Sequence, residues 1–317
     1  MNNPTSTNPV SAPAKFGVYC LANDQAMEWF QMFARSFRHF NPTLPLTIIP
    51  YNSNLTELEK LAPQFHFDIL PEAEVRRFDA LETKIMKLGH HPAMFRKWAA
   101  FFGHYDEFIF FDADVAVTMP LDDILQAFAG SSYDFLYFDT DIMRVYRPEH
   151  VASMQAKYHS PGFNAGTFAS RKGVITEAEL WRMADAAVAD YHLLKPDQVD
   201  QPFLNYVFDT LPRRTVHVNT LRPEIAPPRP QLYFRHDIRH DRLLDAEGRQ
   251  MLFIHWAGHN YPGMMLPEIF LQYRTLGMSD SERQRYRRYF CYRRLRNKLK
   301  RTLLQFKPAG RPVLPHK

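Results

Sequence analysis

The chain is poor in glycine, with 12 in 317 residues, about 4% against a usual ~7%. Those glycines spell neither G-x-G-x-x-G nor G-x-x-x-x-G-K-[ST], so a standard dinucleotide turn and a P-loop are both missing. HExxH is missing too. The only cysteines, Cys20 and Cys291, are too far apart in sequence for a Cys-x-x-Cys metal site and too few for a disulfide framework, which points to a reducing cytoplasm. No run of ~18 apolar residues occurs, so no spanning helix is expected. Met1 to Lys15 is Asn, Pro, Ser and Thr with no apolar stretch, the pattern of a loose tail and not of a secretory signal.

What is present is ordinary globular composition, 45% hydrophobic and 23% charged. The length fits two domains, or one large α/β domain with extensions. A net charge of +5 hides an asymmetry. Residues 283–317 hold 13 Lys and Arg and no acid, which leaves 26 basic and 34 acidic residues before them. The body is acidic and the tail strongly basic, so a partner inferred from overall charge is inferred from the tail alone. We divide the chain into a tail (1–15), a body (16–278) and a basic C-terminal helix with its tail (279–317).

Phe16 to Ala22 reads as a strand, Asn23-Asp24 as a helix cap, and the stretch to Phe40 as an amphipathic helix. Leu46–Tyr51 and Phe65–Leu70 read as further strands around a short helix at Leu55–Ala62. Asp79 to Gly103 has helical spacing broken at Pro92. Phe108–Phe111 is a continuous apolar run, as in a strand buried on both faces. Tyr133–Asp139 and Phe163–Ser170 are further strands, followed by helices at Thr176–Leu194 and Asp200–Leu211. Thr215–Asn219 and Met251–Trp256 are expected to close the sheet, with Leu221–Arg249 a long surface excursion. Alternating strands and helices imply an α/β fold, a mostly parallel sheet with helices on both faces.

The most informative segment is Phe108–Val117, FIFFDADVAV. Strand alternation aims Asp112 and Asp114 the same way, where a buried strand leaves the sheet. Carboxyl ends of strands are where α/β sheets bind ligands, and two hard carboxylates suit a divalent cation. A helix cap beside a solvated carboxylate explains the same pair.

Four segments in order resemble the GT-A nucleotide-sugar glycosyltransferases, especially glycosyltransferase family 8. They are FIFFDADVAVTMPLDDIL around Asp-x-Asp, Phe163-Asn164-Ala165-Gly166, Asp200-Gln201-Pro-Phe-Leu204-Asn205, and His255-Trp-Ala-Gly258. The resemblance spans Phe16 to Pro262. It implies a GT-A (Rossmann-like) fold and a hexosyltransferase, with Asp112, Asp114 and His255 holding Mn²⁺ (or Mg²⁺). Asp200 and Gln201 become the catalytic pair beside the donor's anomeric carbon. Leu21, Ala22, Asn23, Arg96, Asp112, Ala113, Asp114, Asn164, Ala165, Gly166, Gly258 and His259 become donor-binding residues. Arg96 and Lys97 both stand where the family places a basic residue facing the donor, and Arg96 is assigned. The family continues its last motif to Lys-Pro-Trp, whereas here Tyr261 stands at the lysine and Gly263 at the tryptophan.

The implied reaction moves a sugar, with retention, from a nucleoside diphosphate sugar of the UDP type to a glycan, lipid-linked or protein acceptor. Two alternatives stay open. One is a haloacid-dehalogenase-like phosphatase with Asp112 as nucleophile, although Ala116 stands where Thr or Val is usual. The other is a non-catalytic sugar-nucleotide scaffold. His236 and His240 have the i, i+4 spacing of two ligands on one helix face, but a zinc site needs at least a third ligand and a shielded setting, and this stretch reads as exposed. In the tail, Tyr289, Tyr292, Leu295, Leu299, Leu303 and Phe306 form an apolar stripe amid Arg and Lys, the pattern of an anchor on an anionic membrane surface. A helix packed on the body accounts for the same stripe, and nucleic acid ranks below both. A peripheral position at the inner face of a membrane follows as the expectation.

Overall fold

In a computed structural model the described residues are 15–85, 92–198, 200–226, 234–237, 242–258 and 265–305. The first strand, β1 (Phe16–Ala22), runs parallel between β2 (Leu46–Pro50) and β4 (Glu107–Asp112), and β3 (Asp68–Ile69) lies outside β2. On the other side of β4 come β7 (Thr167–Arg171), β6 (Phe135–Tyr137) and the edge strand β8 (Thr215–His217), completing seven strands. Only β7 runs against its neighbours. The sheet is therefore mostly parallel, and its carboxyl edge carries Ala22 and Asp112.

Strand alternation explains the core. Tyr19 and Leu21 of β1 and Phe108 and Phe110 of β4 bury on one face with Trp98, Phe168 and Phe203. Val18, Cys20, Ile109 and Phe111 bury on the other, against Phe30, Phe33 and Phe37 of the helix Met27–Phe40. A run such as FIFF must be apolar throughout because neither face of its strand meets water.

Local signals set several boundaries. Asn23 Oδ1 accepts the Ala26 amide at 3.1 Å and caps the short turn Asp24–Ala26 that leads into the helix Met27–Phe40. Thr176 and Glu179 form a reciprocal capping box at the start of the helix Glu177–Ala189. The helical stretch before β4 is two elements. A helix covers Glu72–Ile85, and a 3₁₀ helix covers Pro92–Phe102.

Two expectations need correction. Met251–Trp256 does not close the main sheet. Instead, β13 (Phe253–His255) pairs antiparallel with β5 (Val115–Val117) as a separate ribbon. The 221–249 excursion includes β9 (Ile225–Ala226), β10 (Phe234–Asp237) and β11 (Arg242–Asp245), which join β12 (Gln250–Met251) in a four-stranded sheet. Leu243, Ile225 and Ala226 are buried there, so part of this segment is core. Strands of two to four residues are too short to show periodicity. His236 lies on β10, not on a helix, and His240 lies outside the described residues.

Among the described residues no helix is long and apolar enough to cross a membrane. The helix Asp280–Gln305 docks by its first half. Phe290 is buried and stacks on Phe270 at 5.5 Å between ring centroids, and Tyr286 donates to Glu28 Oε2 at 2.6 Å.

Candidate active site

The main sheet and the β5–β13 ribbon meet at Asp112. β4 ends there, the chain turns through Ala113 and Asp114, and β5 begins. The turn, not strand alternation, brings the two carboxylates together. Pairing of His255 with Val115 then places an imidazole beside them, although 140 residues of sequence intervene. One ligand atom from each of Asp112, Asp114 and His255 lies within 4.8 Å of the others. Trp256 fixes this corner, its amide donating to Asp114 O at 3.0 Å and its indole to Met265 O at 2.8 Å.

The electrostatics are those of a poised, sheltered cluster. Asp112 and Asp114 keep 25% and 22% of their side-chain surface exposed, enough for an ion to reach them. Burial pushes the Asp112 carboxyl up to about 6; Lys97 and His255 oppose that shift, and Asp114 and Asp200 reinforce it. Burial also acts against ionisation of Asp114, but the charge and hydrogen bond of His255, 3.1 Å away, hold it below its usual value. His255 is raised because Asp114 and Asp112 outweigh its burial.

Gly166 completes the cradle. Its carbonyl accepts the Asp112 amide at 2.7 Å. A Cβ at this position would stand 2.5 Å from His255 Cε1 and 2.6 Å from Asp112 Oδ2, inside any normal contact. Only glycine leaves room for the acidic cluster. The preceding residues form a ledge, in which Asn164 Oδ1 accepts the Gly166 amide at 2.7 Å and Asp139 accepts the Asn164 amide at 3.0 Å. Asn205 clamps this ledge to the helix Gln201–Thr210, giving and taking a hydrogen bond with the Phe163 backbone, each 2.8 Å. The last residue of Asp-Gln-x-x-Leu-Asn is thus a joint between two motifs.

Asp200 stands at the start of that helix, yet its side chain makes no capping bond. Its Oδ2 meets Lys97 Nζ at 2.5 Å instead. Lys97 also lies 3.5 Å from Asp112 Oδ1 and donates to Ala165 O at 2.9 Å, with its side chain almost wholly buried. Gln201 is buried and its Nε2 has no partner within the described residues. A buried amide left without an acceptor is costly.

Other assigned residues are placed differently. Arg96 does not face this cluster. Its guanidinium forks onto both Asp79 oxygens at 2.7 Å and donates to Pro50 O at 3.1 Å, so the cation that reaches Asp112 and Asp200 is Lys97. Leu21, beside Asp112 in register, and Ala22 are buried, which leaves them only backbone to offer. Asn23 is committed to its cap through Oδ1, while its Nδ2 is buried without a partner. Ala113 is buried in the turn, and Gly258 is exposed with φ 75°. His259, Tyr261 and Gly263 lie outside the described residues.

No family profile and no curated protein matches the chain. Solved structures do. The WbbM bifunctional glycosyltransferase in its apo form is 15% identical with a TM-score of 0.56, over 89% of this chain and 53% of that one. This chain therefore spans about half the length of WbbM. The galactosyltransferase LgtC, in complex with donor and acceptor sugar analogues, is 15% identical with a TM-score of 0.51, over 84% of this chain and 98% of that one. The glycosyltransferase GlyE of Streptococcus pneumoniae TIGR4 is 13% identical with a TM-score of 0.50, over 87% and 64%. At such identity the likeness shows the fold, and the chain has the GT-A fold.

Proposed function

We propose that the chain is a metal-dependent glycosyltransferase that takes its sugar from a nucleoside diphosphate sugar. The carrying observation is the convergence of Asp112, Asp114 and His255 with Lys97, Asp200 and Gln201 at one edge of a GT-A sheet. WbbM, LgtC and GlyE, which share the fold, are described as glycosyltransferases, and LgtC as holding donor and acceptor sugar analogues. Those descriptions support the reading.

Two carboxylates, one imidazole and diphosphate oxygens suit Mn²⁺ better than Ca²⁺ or Zn²⁺, with Mg²⁺ the other candidate. Glycine at 166 spares Asp112 and His255 a clashing Cβ, which supports their use as ligands. A cation held by Asp112, Asp114 and His255 supplies Lewis-acid assistance to the departing diphosphate. The protein's residues do the rest. Lys97 offsets the charge of Asp112 and Asp200. The Asp200 carboxylate and the free Gln201 amide orient the sugar hydroxyls, and the Asn164–Gly166 ledge bounds the sugar on the other side. UDP as the carrier and retention of anomeric configuration come from the family resemblance.

A phosphatase using Asp112 as nucleophile fits less well. Ala116 stands where that phosphatase motif has Thr or Val, and the sheet around Asp112 is that of the GT-A fold. The two readings separate by experiment. Incubation with UDP-sugars and Mn²⁺ should release UDP as the sugar passes to water or to an added acceptor, and EDTA should stop it. A phosphate ester hydrolysed through an aspartyl-phosphate at Asp112 would replace this reading.

The same proposal includes a membrane-proximal acceptor. Tyr292, Leu295 and Leu299 are 62%, 59% and 56% exposed, and Tyr289 is exposed beside them. At ~100° per residue Leu299 stands opposite Phe290, so the helix docks by one face and leaves the stripe on the other. Arg and Lys flank the stripe with no acid after Glu282, which matches an anionic lipid surface. The side chain of Leu303 and all of Phe306 lie outside the described residues.

A further inference from the structure

Beside the acidic cluster lies a carboxyl that the proposed reaction does not use. Glu82, on the helix Glu72–Ile85, is 1% exposed. Its Oε2 accepts the Phe95 amide at 3.1 Å, and its Oε1 is buried with no hydrogen-bond partner. Phe95 is in the first turn of the 3₁₀ helix Pro92–Phe102, two residues before Lys97. Asp79, three residues earlier on the Glu72–Ile85 helix, forks onto Arg96 of the same element. Two carboxyl groups from one helix therefore grip residues 95 and 96. Arg96 and Lys97 leave in different directions, one toward Asp79 and one toward Asp112 and Asp200.

We propose that Glu82 is a positioning residue, a buried carboxyl that locks the first turn of the 92–102 helix and through it the aim of Lys97. The purpose of that aim rests on the glycosyltransferase reading; the arrangement itself does not. Burial pushes Glu82 up to about 8; the Phe95 amide and Lys97 oppose this, and Asp200 and Asp79 add to it. Tyr51, from the end of β2, faces the same group. At neutral pH Glu82 is an uncharged acid. It accepts one hydrogen bond without adding a third negative charge beside Asp112 and Asp200.

The test uses the full chain and two variants. Glu82→Gln keeps a neutral head and an oxygen for the Phe95 amide, whereas Glu82→Ala removes both. Acylation of Lys97 by acetic anhydride at pH 7, read by mass spectrometry, should be roughly tenfold faster in Glu82→Ala, the scale of one lost buried hydrogen bond. Glu82→Gln should label at the wild-type rate. The second readout is melting temperature from pH 5 to 9. In the folded chain Glu82 keeps its proton to about pH 8, while the unfolded chain loses it near 4.5. Folding is thereby weakened as pH rises, so the wild type should fall behind Glu82→Gln between pH 5 and 8, with a constant gap above. Parallel melting curves, or Lys97 labelling unchanged in Glu82→Ala, overturn the proposal. If Glu82→Ala does not fold, Glu82→Leu, which fills the same space without an acceptor for the Phe95 amide, takes its place in the labelling experiment. Neither readout needs sugar transfer, so failure of the glycosyltransferase reading would leave both intact.

Discussion

Lys97 Nζ lies 2.5 Å from Asp200 Oδ2 and 3.5 Å from Asp112 Oδ1, so one buried cation ties the head of the Gln201–Thr210 helix to the Asp-x-Asp turn. Removing one partner of a buried ion pair costs ~3–5 kcal/mol, because the remaining charges lose their compensation. Lys97→Met should therefore destabilise the fold by that order in urea titrations. It should also weaken binding of UDP with Mn²⁺. Arg96→Met breaks the pair with Asp79 and should lower stability alone, leaving nucleotide affinity of the folded protein within about twofold. Equal loss of nucleotide binding in both variants would restore Arg96 to the site.

Metal binding should follow pH with a definite sign. Asp112, pushed up to about 6, must be ionised to hold a cation, and the raised His255 must shed its proton. Affinity for Mn²⁺, measured by calorimetry, should fall by roughly tenfold or more from pH 7.5 to 5.5. Asp112→Asn, Asp114→Asn and His255→Ala should each lower it, the histidine change by ~10 to 100-fold. A flat pH profile would contradict this set of ligands.

Gly166→Ala adds one methyl group 2.5 Å from His255 Cε1 and 2.6 Å from Asp112 Oδ2. Overpacking of this kind costs ~1–3 kcal/mol. The variant should melt lower and lose Mn²⁺ binding together. Normal Mn²⁺ affinity in Gly166→Ala would mean that the three side chains do not share one ion.

The sequence made the long elements readable because burial on both faces leaves a pattern. FGVYCLA and FIFF mark β1 and β4, and Asn23 and Thr176 mark helix starts by side chains that cap them. Met251–Trp256 reads as a strand, but its pairing with β5 is not readable, because only tertiary contact sets which strand it joins. Family resemblance supplied His255 where pattern could not. Sequence does not separate Arg96 from Lys97, for a geometric reason. Adjacent residues of a helix point well apart, and the partner of each lies on another element. Asn205 is visible only as the last residue of the Asp-Gln-x-x-Leu-Asn segment, with no sign of its clamp on Phe163, and Glu82 shares the spacing of Val75, Phe78, Leu81 and Ile85 although its charge argues against burial.

The basic helix carries its own prediction. Leu295→Glu with Leu299→Glu places two acids on the exposed stripe without touching Phe290, so folding should be unchanged. The full chain should sediment with anionic liposomes at low salt and be released as salt rises, and the double variant should stay in solution. Equal sedimentation with neutral lipid, or capture by nucleic acid alone, would reject the anionic surface.

Thermal shift with a panel of nucleoside diphosphate sugars, each with and without Mn²⁺, tests the central claim most directly. A true donor at 100 times its dissociation constant stabilises the folded chain by ~2.7 kcal/mol. The glycosyltransferase account predicts that at least one UDP-sugar raises the melting temperature only when Mn²⁺ is present, and that Asp112→Asn abolishes the rise. No metal-dependent shift with any nucleotide sugar, or an undiminished shift in Asp112→Asn, would contradict it.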